Sequence, residues 1–219
     1  MPDKRHFSDA LLAWWKINGR HFPWIDENDP YRIFVSEILL HRTRANQVAP
    51  VYRELIERFP TIRALAAAEP RELRAMLRPL GLFWRTKYLR LAAKQIVEEY
   101  GGTVPENAGA LKSLPGISDY IASAIRCFAF RRPEAIIDTN TVRILGRVLG
   151  VRVTEGSRRS KQLYESYGSL LDTENPRDFN HAILDLGALV CKSGTPLCSV
   201  CPVAAMCTYA MSAGRTGSL

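Results

Sequence analysis

Two acids and four thiols are the residues in this chain best placed to do chemistry. Glu37 sits in the middle of residues 32–40, where Ile33, Phe34, Val35, Ile38, Leu39 and Leu40 cover most of a helical circumference. That is the pattern of a buried helix. A carboxyl there loses its hydration, so it must have a partner, hold its proton more tightly, or line a cleft. Paired with Arg42 or Arg44 it would be structural; at the edge of a pocket it would be a general acid or base. Asp138 ends an apolar run and precedes a helical pattern of Val142, Leu145, Val148 and Leu149, so it can cap that helix and still face a cleft. Cys191, Cys198, Cys201 and Cys207 follow the spacing C-x6-C-x2-C-x5-C. In a chain whose N-terminus has no apolar signal core, four thiols this close read as ligands rather than disulfides. Zinc and iron–sulfur clusters both use four cysteines. Zinc sites usually pair two C-x2-C units and only one exists here, which favours the cluster. Cys127 is left over and is expected as a buried core thiol.

The elements that must position these groups are helices. Residues 7–15 fit an amphipathic helix capped near Ser8 or Asp9, and a breaker-rich segment around Pro23 reads as an ordered loop. Helical patterns then recur over 51–59, 62–68, 70–77 and 87–100, punctuated by Pro60, Pro70 and Pro79. The loop 79–84 carries Leu82, Phe83 and Trp84, large side chains that pack into the core or else wedge into, or stack on, a nucleic-acid base. At Pro115 and Gly116 one helical pattern stops and another begins. The amides of residues 116–119 would then stand unpaired at a helix N-terminus, a place suited to one phosphate; an ordinary helix–turn–helix corner gives the same pattern. No sustained period-two alternation occurs over residues 7–130. The expected class is all-α.

The 219 residues suffice for one domain or two small ones, and 47% hydrophobic content without low-complexity runs argues against disorder. No stretch reaches the roughly 18 apolar residues of a membrane span, so a soluble, cytoplasmic-type protein is expected. A net charge of +8 favours a polyanionic partner.

Taken together, Phe22-Pro23-Trp24, Pro30-Tyr31, Ser36-Glu37-Ile38-Leu39-Leu40, Leu114-Pro115-Gly116, Ile137-Asp138-Thr139-Asn140 with Val142-Arg143, Phe179-Asn180, Asp185-Leu186-Gly187-Ala188 and the four cysteines resemble one family along essentially the whole chain. It is the helix-hairpin-helix DNA glycosylase superfamily, in the iron–sulfur branch that contains endonuclease III, MutY-type adenine glycosylases and thymine–DNA mismatch glycosylases. The resemblance implies a six-helix barrel over 25–133. It implies a second helical domain from 1–24 and 134–219, carrying a 4Fe-4S cluster on the loop 191–207.

The resemblance also implies roles. Asp138 matches the aspartate that stabilises an oxocarbenium-like sugar once a flipped base departs. Tyr120 stands where bifunctional relatives have a lysine; without that amine no imine forms, and a monofunctional hydrolase of N-glycosyl bonds follows. Glu37 matches the pocket glutamate, which protonates or hydrogen-bonds the leaving base or orients water. His41 and Arg42 match residues that fill the gap left by flipping, Leu82 a DNA-contacting loop position, and Leu114, Gly116 and Ser118 the hairpin that holds a backbone phosphate. Ser118 departs from the usual Gly-x-Gly. The hairpin of such proteins also binds a monovalent cation through main-chain carbonyls. The implied partner is double-stranded DNA with a mismatched or damaged base, met by a monomer associated with the nucleoid. Glu-Ile-Leu-Leu-His-Arg-Thr is closer to the thymine mismatch branch, so the expected substrate is thymine or uracil opposite guanine. The alternatives are a MutY-type adenine glycosylase and an endonuclease III-like glycosylase/lyase.

Overall fold

The structure is a computed structural model that describes residues 2–81 and 84–216. Leu82 and Phe83 lie outside the described residues. The chain divides into two compact units, residues 21–130 and residues 1–20 with 131–219. Every regular element among the described residues is helical, as the sequence led us to expect.

The unit of residues 21–130 is organised around helix α2 (Pro30–Leu40). Asp29 caps it by accepting from the Tyr31 amide at 2.9 Å, and Pro30 takes the first helical position, where its missing amide costs nothing. α2 packs against α3 (Ala45–Arg58), α6 (Trp84–Glu99) and α8 (Asp119–Phe130), and is therefore buried on nearly every side. Ile33, Phe34, Val35, Ile38 and Leu39 are all buried, at about 1.5–3 kcal/mol each. That burial offsets the cost of carrying Glu37 inside. The short helices α4 (Ile62–Ala67) and α5 (Pro70–Leu77) close over α6, and α7 (Ala108–Ser113) leads into α8. α3 begins at Ala45, earlier than the residue after Pro50 where the breaker rule would start it. Pro50 stays inside the helix on an exposed face, where water can satisfy the carbonyl that proline leaves unbonded.

In the other unit, α1 (Lys4–Asn18) starts before the expected caps at Ser8 or Asp9. Asp3 does the capping, accepting from the His6 amide at 2.8 Å. α9 (Thr139–Leu149), α10 (Lys161–Leu170), α11 (Pro176–Leu189) and α12 (Thr208–Thr216) complete this unit. Asp185 of α11 binds the end of α1, accepting from the Trp15 indole at 2.9 Å and from the Arg20 amide and guanidinium at 2.8 and 2.6 Å. Asn180 accepts from the Tyr167 hydroxyl at 2.6 Å and donates to the Glu134 and Pro176 carbonyls. These motif residues are buried structural ties. Cys127 is a fully buried thiol of α8.

Arg85, in the first turn of α6, is only 1% exposed and is the largest side chain so deeply buried in the described residues. It donates to the Leu39 carbonyl at 2.6 Å, to the His41 carbonyl, and to the Thr43 hydroxyl at 2.9 Å. α2 has no basic residue of its own in its last turn, so a cation from α6 satisfies and neutralises its C-terminus. Burial brings the guanidinium down to about 10, still charged at neutral pH. Arg85→Met is expected to leave those carbonyls buried and unpaired and to cost about 2–4 kcal/mol, read from urea unfolding. A change within experimental scatter would show that water replaces the guanidinium at no cost.

Candidate active site and DNA-contacting groups

Glu37 is 4% exposed, and no hydrogen bond or ion pair to it exists among the described residues. The structural pairing with Arg42 or Arg44 is therefore not found. Desolvation alone pushes the carboxyl up to about 8, so at neutral pH it is mostly a protonated acid. One helical turn further on, His41 closes α2, and burial, then the Arg85 and Arg42 charges, hold its imidazole below the usual histidine range. Its Nδ1 is buried without a partner in the described residues.

Leu40-His41-Arg42-Thr43 forms a tight turn, with the Thr43 amide donating to the Leu40 carbonyl at 3.0 Å. His41 has φ −59° and ψ 109°, and Arg42 has φ +61°. This is the geometry of a type II turn with arginine where glycine is preferred. Such a residue carries strain of about 1 kcal/mol or more, and here it presents an exposed cation at the tip of α2.

The hairpin between α7 and α8 has a specific shape. Gly116 has φ +79°, and a Cβ there would sit 2.7 Å from Cβ of Tyr88 on α6. Glycine is needed on both counts. The Ser118 hydroxyl accepts from the Ile121 amide at 3.3 Å and so caps α8. The serine that replaces a second glycine thus has a local task, on an exposed residue whose own amide donates to nothing among the described residues. The Leu114 side chain is buried in the core, and its amide and carbonyl bond within the hairpin, to the Leu111 carbonyl and from the Ile117 amide. Lys112 pairs with Asp119 at 3.2 Å on the exposed flank of the hairpin. Tyr120, half-buried in the first turn of α8, packs against the core of this unit.

Asp138 caps α9 in the other unit. Its carboxylate accepts from the Asn140 and Thr141 amides, each at 2.8 Å, from the Asn140 side-chain amide at 2.8 Å and from the Thr141 hydroxyl at 3.1 Å. The Asp138 amide in turn donates to the Thr141 hydroxyl at 2.6 Å, which completes a capping box. The carboxylate is half-exposed and its rotamer is fixed by its donors.

The constraint extends down α9. Arg143 donates to Oδ1 of Asn140 at 2.9 Å, to the Gly187 carbonyl at 2.8 Å and to the Cys191 carbonyl at 2.8 Å. One turn later Arg147 donates to the Cys191 sulfur at 3.3 Å and to the Lys192 carbonyl at 2.7 Å, with its guanidinium over the Tyr209 ring. A single helix therefore holds the acid at its start and the cysteine segment along its flank. Neither arginine shows this role in sequence, where only the pair Val142-Arg143 stood out as part of a motif.

Cys191, Cys198, Cys201 and Cys207 are all free thiols and line one cavity with Arg147, Leu197 and Tyr209. Among the described residues, no three His, Cys, Asp or Glu side chains are grouped as ligands of a single metal ion. A tetrahedral zinc site needs four sulfurs each about 2.3 Å from one ion. The four thiols thus share one cavity wall, which is as far as the structure takes their chemistry.

Comparison with known proteins places this geometry. Residues 35–168 match the family described as HhH-GPD superfamily base excision DNA repair protein. A thymine-DNA glycosylase of Aeropyrum pernix is 38% identical over 91% of this chain and 92% of its own. The adenine DNA glycosylase of Homo sapiens is 36% identical over 92% of this chain, which spans only 39% of that protein. The solved structure of a thermostable thymine-DNA glycosylase superposes with a TM-score of 0.87 at 31% identity, covering 95% of this chain and 97% of that one. The chain belongs to the HhH-GPD superfamily of base excision DNA repair proteins.

The network around Asp138 depends on a close approach. A Cβ on Gly187 of α11 would lie 2.7 Å from the Asn140 Cβ. Gly187→Ala is expected to push Asn140 aside and to cost about 1–3 kcal/mol in stability, with altered Asn140 side-chain amide resonances in NMR spectra. Unchanged stability and resonances would show that Asn140 is not held by this packing.

Proposed function

We propose that this chain is a monofunctional DNA glycosylase that hydrolyses the N-glycosidic bond of thymine or uracil mispaired with guanine. The observation that carries the reading is Glu37, a buried carboxyl with no protein partner, held protonated near neutral pH by desolvation. An acid in that state is matched to a leaving base that must take up a proton. The Aeropyrum pernix relative and the superposing structure both bear the name thymine-DNA glycosylase, which supports the choice of base.

The reaction divides among groups whose local settings differ. The C1′–N bond breaks with its electron pair leaving on the base, and Glu37 donates a proton or hydrogen bond to that base. The sugar is left with oxocarbenium character, which the negative charge of Asp138 stabilises. Water adds its hydroxyl to C1′, and its proton passes to the Glu37 carboxylate left by the first step, or to the departed base anion where Glu37 gave only a hydrogen bond. Tyr120 offers no amine for an imine, so the product is an abasic site with the strand intact.

On the same reading the amides at Gly116 and Ser118 take a backbone phosphate, and the hairpin carbonyls a monovalent cation. His41 and Arg42 occupy the space that a flipped nucleotide vacates. The four cysteines would hold a 4Fe-4S cluster, whose contribution is to order the basic segment gripped by Arg147. The DNA partner is a duplex with a mispaired or damaged base, bound by a monomer. Adenine is the second candidate base, since the human adenine DNA glycosylase is 36% identical and a protonated Glu37 would serve a purine leaving group equally well.

Single-turnover assays on G·T, G·U, G·A, oxidised-G·A and thymine-glycol duplexes, with and without alkali, test the assignment. Cleavage at G·T and G·U that requires alkali is expected. Release confined to adenine would transfer the assignment to the second base, and strand scission without alkali would contradict the monofunctional mechanism.

A further inference from the structure

The groups given roles so far leave an aromatic feature of the 21–130 unit unused. Trp84, the first residue of α6, is 39% exposed, and Tyr88 one turn later is 38% exposed. The two rings meet edge to face with centroids 5.7 Å apart. The indole also meets the His41 ring edge to face at 5.9 Å, and the Arg85 guanidinium lies 5.8 Å from its centroid. Tyr88 is the residue whose Cβ supports Gly116. A row of rings thus runs from the strained turn at the end of α2, across the start of α6, to the hairpin.

Neither Trp84 nor Tyr88 belongs to the core of this unit. Holding a large apolar ring at the surface, oriented by two ring contacts, has a cost in solvation that a binding role would explain. Exposed cations stand on the segments that meet there: Arg42 in the turn after α2, Arg44 at the start of α3 and Lys87 on α6 itself. Aromatic faces set among positive charges form the standard surface for unstacked bases, because every base offers a π-face and the charges follow the backbone.

We propose that Trp84 is a base-stacking residue, its indole receiving a DNA base that loses a stacking neighbour when the target nucleotide is extruded. His41 and Tyr88 are positioning residues that hold the ring. This deepens the proposed function and rests on it for the nature of the ligand. It also resolves the two readings of the loop 79–84, core or stacking, in favour of stacking at Trp84.

Binding of a duplex that carries a tetrahydrofuran abasic analogue opposite guanine, with 2-aminopurine next to the analogue on the same strand, tests the proposal without turnover. Trp84→Leu keeps apolar bulk and removes the π-face. It is expected to weaken binding on the order of tenfold, and to leave 2-aminopurine brighter in the complex than wild type does. Trp84→Phe should recover most of both signals. A Leu variant indistinguishable from wild type would overturn the proposal. So would a Phe variant as impaired as Leu, which would mean shape rather than stacking. Wild-type protein that releases no base from any mispair, yet shows the Trp84 effect, would sink the glycosylase reading alone. Active wild type with a silent Leu variant would sink the stacking role alone.

Discussion

The burial of one unpaired carboxyl sets the terms for the 21–130 unit. Glu37 can be carried inside only because α2 gains more from its apolar neighbours than the acid loses, and only as a neutral group. A paired glutamate would be ionised and would cost less, but it could not donate a proton at neutral pH. The unit keeps such a partner away. Of the arginines near it in sequence, Arg32 is paired with Glu27 and Arg42 and Arg44 are exposed, and the buried Arg85 is committed to the carbonyls at the end of α2. The same guanidinium fixes the turn on which Arg42 takes its left-handed conformation and against which Trp84 stands. Acid, turn and exposed indole therefore depend on one packing arrangement.

The second acid is treated in the opposite way. Asp138 is surrounded by donors, and α9 ties those donors to α11 and the cysteine segment through Arg143 and Arg147. One acid is starved of polar contacts and the other supplied with four hydrogen bonds. On the proposed mechanism, environments so different would separate the two carboxyl groups into a proton donor and a stabilising anion. The cysteine segment bears on this by position: its carbonyl at Cys191 is the far end of the chain Arg143–Asn140–Asp138.

Local pattern was enough to read the helices, the cap at Asp138, the break at Pro115-Gly116 and the burial of Glu37. Periodicity and capping chemistry act over a few residues, and all of these features are local. Boundaries moved at Pro50, tolerated inside α3 on an exposed face, and at Asp3, a local cap that starts α1 earlier. What escaped the sequence was long-range. Arg85 is one cation in a basic stretch until the chain folds and brings it to carbonyls more than forty residues away. The requirement for glycine at 187 is visible only once Asn140 lies against it.

The protonation state of Glu37 is the claim on which the mechanism turns, and a pH–rate profile under subsaturating single-turnover conditions measures it in the free enzyme. With the carboxyl raised to about 8, base removal from a G·U duplex should hold steady through neutrality. It should then fall about tenfold per pH unit above that midpoint as the proton is lost. Glu37→Gln, which can hydrogen-bond a base but cannot surrender a proton, should be slower and lack that alkaline limb. A wild-type rate that stays level well above the midpoint, or the same limb in the glutamine variant, would contradict the role given to the buried acid.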